Sequence, residues 1–310
     1  MTADRTITAV LTDQQGDLRV AAVTPPELGP TDIRIAVTAA TINPIDDQVI
    51  GGFSLRQGWT KAGDLGLGWD VAGVISEVGA EVTDASLTVG TRVAGLSGGT
   101  AKTVGPQAEE IVLAATDIAV VPDGLDLTDA ASLPLNTLTA DQALDLLGPA
   151  AGTLLITGIG GAVGGFAAPL AVARGWRVIG LGREQDREFA ASVGVEFVTD
   201  EFIAADSTAQ VDAVLDAAVL GGATTGVVRP GGTFVEVVVG ATPPRDGVTV
   251  HTQFVTSDGT RLAALLAQAD QGTLAPRIRS THRLADAEKA YVDFRDGGRG
   301  RVLLVTDRAE

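Results

Sequence analysis

The chain has 310 residues, 45% of them hydrophobic, with 39 glycines, no cysteine and a formal net charge of −17. That length suits two domains with sizeable cores; the lack of cysteine excludes disulfides and thiolate metal ligands, and His251 and His282 are too few for a His-rich centre. The charge repels nucleic acid and anionic membranes, and no apolar run approaches the roughly 18 residues of a membrane span.

Thr6–Leu11 and Leu18–Val23 read as two strands around a turn at Asp13–Asp17, and Asp32–Ala39 alternates Ile33, Ile35 and Val37 as a half-buried strand. The opening MTADRTITAV has no basic leader followed by an apolar core, so a cytoplasmic protein without a secretory signal is expected. Within Thr41–Phe53, Asn43-Pro44 signals a turn, and Asp46 and Asp47 mark a helix start. Leu67–Gly79 reads as a strand pair with glycine bends. Gly90–Gly95, Ala108–Leu113 and Ile118–Val121 read as further strands. Many short strands with glycine turns predict a compact β-barrel-like domain.

The texture changes at Val121-Pro122-Asp123-Gly124. Leu127–Leu147 is rich in Ala and Leu, with Thr128 or Asp129 as helix cap and Pro134 as an interruption. An apolar run, Leu154–Thr157, leads into Gly158, Gly160, Gly161, Gly164 and Gly165, then a helical segment Phe166–Arg174 and a second apolar run Arg177–Leu181. This is a βαβ unit of about thirty residues. Further strands are expected at Glu196–Val198, Val211–Leu215 and Thr233–Val239, the last after a turn at Arg229–Gly232. Strand and helix in alternation predict an α/β fold with a parallel, doubly wound sheet. Helices at Arg261–Gln271 and Leu284–Phe294 and a strand at Arg301–Thr306 complete the chain.

The glycine cluster spells Gly158-x-x-Gly161-x-x-Gly164, with Gly160, Ala162 and Val163 between. Such a turn lets the backbone approach a pyrophosphate and aims the free N–H groups of a helix N-terminus at its charge. The bland alternative is an ordinary glycine-rich strand-to-helix turn. An acid about twenty residues on selects the ribose hydroxyl of NAD, but here the second strand ends in Gly182-Arg183. Arg183 suits the 2′-phosphate of NADPH, with Arg187 assisting one turn later. Against this stand Glu184, which can turn toward the ribose, and a merely solvated Arg183.

Taken together, the motifs resemble the medium-chain dehydrogenase/reductase superfamily, in particular its zinc-independent quinone oxidoreductase branch. The markers are Asn43-Pro44-Ile45-Asp46, Gly68-Trp69-Asp70-Val71-Ala72-Gly73, Val89-Gly90-Thr91-Arg92-Val93, Leu133-Pro134 with Thr139-Ala140, the glycine cluster, Arg229-Pro230-Gly231-Gly232 and Gly298-Arg299-Gly300-Arg301-Val302. The resemblance implies a GroES-like β-barrel catalytic domain over 1–122, a Rossmann domain over 123–258 and a segment 259–310 returning to the first domain. It also implies a threonine near the cofactor, matched by Thr139. Arg299 and Arg301, in the glycine-flanked terminal turn, are candidates to reach the cofactor; the alternative is a surface role for at least one of them. Zinc-dependent members carry Cys and His ligands where this chain has Ala40-Thr41 and Trp69-Asp70. Relatives often carry a tyrosine after the Asn-Pro pair; Gln48 stands there, and the only tyrosine is Tyr291.

Asn43 is the candidate donor to a substrate carbonyl and Asp46 the candidate to orient it or a water; the alternative is that both merely cap a turn. Asp70 reads as a buried structural acid. Gln48 and Trp59 are candidates for the substrate pocket. The expected activity is hydride transfer from NADPH to a small quinone or α,β-unsaturated carbonyl, because conjugation delocalises charge that zinc would otherwise have to stabilise. An enoyl-thioester reductase and a non-catalytic NADPH-binding protein are the alternatives. No metal, nucleic-acid or membrane partner is expected, and a homodimer is expected through an edge strand at Val248-Thr249-Val250.

Overall fold

The computed structural model describes residues 5–204, 211–238, 240 and 242–307. The chain divides into two compact units, Met1–Leu135 with Thr256–Glu310, and Asn136–Val255.

The first unit opens with β1 (Ile7–Thr12), β2 (Leu18–Val23), β3 (Asp32–Ile42), α1 (Pro44–Ile50), α2 (Phe53–Arg56), β4 (Leu65–Gly66), β5 (Asp70–Val78), β6 (Arg92–Leu96), β7 (Glu110–Ala114), β8 (Ile118–Val120) and α3 (Leu127–Ala131). After α4 (Pro134–Leu146) the second unit runs β9 (Thr153–Thr157), α5 (Ala162–Ala173), β10 (Arg177–Leu181), α6 (Arg187–Ser192), β11 (Glu196–Val198), α7 (Glu201–Ala204), β12 (Val211–Asp216), α8 (Gly222–Thr225), β13 (Val228–Glu236) and β14 (Thr249–Thr252). The chain then re-enters the first unit with α9 (Gly259–Asp270), β15 (Ile278–Arg283), α10 (Ala287–Arg295) and β16 (Arg301–Val305).

In the first unit a seven-stranded sheet runs β15-β16-β3-β5-β6-β8, with β7 also on β3, and a three-stranded sheet runs β2-β1-β4. The long β3 is the hub: it pairs antiparallel with β5, β7 and β16. Its Ile33, Ile35 and Val37 face a core with Ile7, Val71, Val93 and Ile111, while Ile42 joins Val49, Tyr291, Val302 and Leu304 in a second core. That second cluster packs the C-terminal β16 and α10 against α1, so the end of the chain is structural to the region around Asn43.

The second unit is one six-stranded parallel sheet in the order β11-β10-β9-β12-β13-β14. This order has the first βαβ unit wound one way and the rest the other, the doubly wound Rossmann arrangement with its switch point beside β9. Leu155, Ile179, Val214, Val228 and Phe234 fill one face of it, the near-continuous apolar strands of a sheet covered by helices.

Several expectations differ in detail. Leu67–Gly79 is not a strand pair but the single strand β5, after a break at Gly68, whose φ is +103°. The cap of α3 is Asp126, not Thr128 or Asp129. Helix α5 begins at Ala162, four residues before Phe166, because the glycines there are helical. The strand expected over Thr233–Val239 starts at Val228 and includes Arg229–Gly232; Val239 lies outside the described residues. The polar run Ile278–Arg283 carries no strand pattern, yet it forms β15, parallel to β16. Among the described residues no helix is long and apolar enough to cross a membrane.

Candidate active site

In the second unit the turn after β9 is shaped by two glycines with different tasks. Gly158 has φ +65°, a left-handed conformation that bends the chain off the strand. Gly164, inside α5, lets the helix pack onto that turn: a Cβ there would run into the Gly158 carbonyl oxygen. Gly161 is the N-cap of α5, and its N–H donates to the Gly158 carbonyl at 2.8 Å. Ala162 and Val163 form the first turn of the helix, whose leading N–H groups have no intrahelical acceptor. The geometry fits a pyrophosphate: a sharp turn, side-chain-free backbone and a helix N-terminus at the carboxyl end of a parallel strand.

At the tip of β10, the Arg183 guanidinium is exposed and carries no ion pair among the described residues. Arg187 is already engaged: it forks onto Glu184 at 2.6 and 2.8 Å and stacks on Phe197. Sequence reasoning missed Asp186, a buried carboxylate that accepts the Arg183 N–H at 2.9 Å and lies against Gly160 and Gly182. Its spacing from the glycines was the available signal. Thr139 is buried on α4 in this unit.

In the first unit the predicted Asn43 and Asp46 meet the buried Asp70 and the half-buried Lys102 and Arg301 in one polar cluster. Asn43 precedes α1, which starts at Pro44, a residue suited to a helix first turn. Its Nδ2 donates to Asp70 Oδ2 at 2.6 Å, and its Oδ1 accepts from Arg301 Nη1 at 3.2 Å. Asp46 accepts the Asn43 N–H at 2.9 Å and the Gly68 N–H at 2.8 Å. Asp70 accepts the Leu135 N–H at 2.5 Å. Lys102 donates to the Gly68 carbonyl at 2.7 Å and lies 4.4 Å over the Trp69 ring.

Burial sets the protonation of this cluster. It pushes Asp70 up to about 7, against the Leu135 N–H, the Asn43 amide and the Arg301 charge. It also raises Asp46, held back by the Asn43 N–H, Lys102 and the Gly68 N–H. Lys102 is pushed down by burial and pulled up by the two carboxylates; Arg301 is lowered by burial, with Asp70 opposing. Two buried acids and two half-buried bases thus share one region, and each charge is offset by an opposite one. Lys102 carried no sequence signal, since it sits in a loop without periodicity.

Asn43 and Asp46 were expected to face the substrate. Both are buried, and the bonds above tie them to the protein itself. Gln48 is exposed on α1, and Trp59, 47% exposed, meets Phe53 edge-on at 5.4 Å. Arg299 is exposed in the turn before β16. Tyr291 is buried and donates to Gln107 Oε1 at 2.9 Å. Among the described residues no group of three or more His, Asp or Glu side chains is arranged to hold a metal ion.

The sequence pattern of the alcohol dehydrogenase GroES-like domain matches residues 29–123, and that of the zinc-binding dehydrogenase domain matches residues 193–304. The chain is 30% identical to the 2-methylene-furan-3-one reductase of Solanum lycopersicum over 82% of its own length and 65% of that protein. It is 32% identical to the chloroplastic NADPH-dependent alkenal/one oxidoreductase of Arabidopsis thaliana, over 82% of this chain and 66% of that one. It therefore spans just under two thirds of the length of these relatives. The fold superposes on the quinone oxidoreductase of Coxiella burnetii with a TM-score of 0.82 at 24% identity, covering 97% of this chain and 99% of the other. With its GroES-like first unit, its Rossmann second unit and these relatives, the chain belongs to the medium-chain dehydrogenase/reductase superfamily, on its quinone-oxidoreductase-like branch.

Proposed function

We propose that the protein is a zinc-independent reductase that transfers hydride from NADPH to a quinone or an α,β-unsaturated carbonyl. The observation that carries this reading is the glycine turn closing onto α5 beside an exposed arginine, without an ion pair among the described residues, at the tip of the next strand. The relatives named as alkenal/one oxidoreductase and furanone reductase support the acceptor class. When bound, a reduced nicotinamide supplies the hydride.

The chain's own residues bind, orient and exclude water. The backbone N–H groups of Ala162 and Val163, beside the side-chain-free backbone of Gly161, would hold the pyrophosphate, and Arg183 would fork onto the 2′-phosphate. Arg187, clamped by Glu184, assists less. Asn43 and Asp46 act as positioning residues. Gln48 and Trp59 are assigned to the substrate pocket, Thr139 to the cofactor as the family resemblance implies, and Arg299 to the cofactor. With no cysteine in the chain and Ala40-Thr41 and Trp69-Asp70 at the family's zinc positions, the donor set favours acceptors whose conjugation spreads the developing charge.

The test is cofactor selectivity. Arg183→Ala is expected to lower kcat/KM for NADPH about 10- to 100-fold, the worth of a charge-assisted contact, and to leave kcat/KM for NADH nearly unchanged. An unaltered NADPH/NADH ratio refutes the assignment.

A further inference from the structure

The carboxyl ends of the parallel strands form one register row: Val198, Leu181, Thr157, Asp216, Glu236 and Thr252 stand side by side from β11 to β14. Neighbouring strands lie about 4.8 Å apart, so Glu236 is about 10 Å from Thr157, on the side away from β10. Ligands of doubly wound sheets lie across this edge. If the turn after Thr157 holds the pyrophosphate and the tip of β10 holds the adenosine ribose, the other half of the dinucleotide extends over β12 and β13.

Glu236 is only 3% exposed. Its Oε1 accepts the Gly240 N–H at 3.0 Å and the Thr252 hydroxyl at 2.8 Å. Its Oε2 is buried and has no hydrogen-bond partner among the described residues. Thr242 Oγ1, in the loop that follows β13 and 8% exposed, is in the same condition. The adjacent acid in the row shows the contrast: Asp216 accepts from the Thr157 hydroxyl at 2.6 Å, the Gly221 N–H at 2.7 Å and the Leu220 N–H at 3.1 Å. A buried carboxylate oxygen without a donor is unfavourable and rare in native folds. Its place at the ligand-binding edge supplies the reason it is tolerated.

We infer that Glu236 Oε2 accepts a hydrogen bond from the nicotinamide riboside half of the cofactor, and so fixes that half over β13. This rests on the reading of the protein as a nicotinamide-dependent reductase. The donor is a ribose hydroxyl or the ring carboxamide, both confined to that half of the molecule.

The test is direct binding to the full chain by calorimetry. The probes are NADPH, 2′-phospho-ADP-ribose and 2′-phosphoadenosine 5′-diphosphate, with the series lacking the 2′-phosphate run in parallel. In Glu236→Gln the amide oxygen can keep the Gly240 and Thr252 bonds, while the amide nitrogen puts a donor where Oε2 was an acceptor. The Kd for NADPH is expected to rise at least about tenfold, while the diphosphate fragment, which lacks both ribose and ring, binds as it does to the wild type. A loss retained with 2′-phospho-ADP-ribose assigns the donor to the ribose, and a loss confined to NADPH assigns it to the carboxamide. Glu236→Asp, which withdraws the carboxylate by one methylene and keeps its charge, should show the same fragment pattern and serves if the Gln protein does not fold. Equal affinity of wild type and variant for NADPH, or an equal loss for the diphosphate fragment, overturns the inference. Failure of the wild type to bind any dinucleotide overturns the underlying functional reading instead.

Discussion

Asp70→Asn tests the buried polar cluster at its most strained member. The Asp70 carboxyl titrates near 7 in the fold against an ordinary 3.8. A raised carboxyl pKa means that the folded protein holds a proton which the unfolded chain has released. The stability linked to it is therefore complete below about 4 and is lost as the pH rises through about 7. The gap corresponds to ~4 kcal/mol at its full extent. The substituted amide would be neutral throughout. Its oxygen can still accept the Leu135 N–H, but its nitrogen faces the Asn43 amide nitrogen, a mismatch costing about 1–3 kcal/mol at every pH. The stability of the wild type minus that of the variant should therefore fall by ~4 kcal/mol between pH 4 and pH 8. Urea unfolding followed by tryptophan fluorescence across that range measures it. Parallel stability curves would refute the claim that desolvation holds this carboxyl protonated near neutral pH.

Other perturbations separate packing from binding. Gly164→Ala forces a methyl onto the Gly158 carbonyl and should cost about 1–3 kcal/mol in urea unfolding. In Gly161→Ala the new Cβ would lie 3.1 Å from that oxygen, so stability should change by less than about 1 kcal/mol while NADPH affinity, read by calorimetry, falls. Arg187→Ala should alter the NADPH/NADH ratio much less than Arg183→Ala, because Glu184 already neutralises Arg187. Tyr291→Phe leaves the buried Gln107 oxygen without its donor and should lower stability by about 1–3 kcal/mol; an unchanged unfolding midpoint would show that the bond contributes nothing.

The sheet of the second unit was legible because its strands are apolar runs at regular spacing, and Val211, Val214 and Phe234 had no other place to be buried. The start of α5 was not, since Gly164 and Gly165 oppose helix formation locally; contact with the Gly158 turn overrides that preference. β15 was hidden by its own composition. Arg279, Ser280, His282 and Arg283 have the makeup of a loop, and only pairing with β16 makes them a strand. Residues close in sequence to a motif were singled out as candidates, as Asn43, Asp46 and Arg183 were. Lys102 and Glu236 were not: one lies in an aperiodic loop, and the other ends an ordinary apolar strand. Their meaning arises only from register and burial, which no local pattern encodes.

The central claim is the acceptor class. Its most direct test is anaerobic NADPH oxidation by the purified protein against quinones, α,β-unsaturated carbonyls, enoyl thioesters and saturated ketones, followed by the loss of NADPH absorbance. Quinones or free enones should oxidise the cofactor, and saturated ketones should not. Turnover confined to saturated ketones or to thioesters, or NADPH bound but never oxidised by any acceptor, would contradict it.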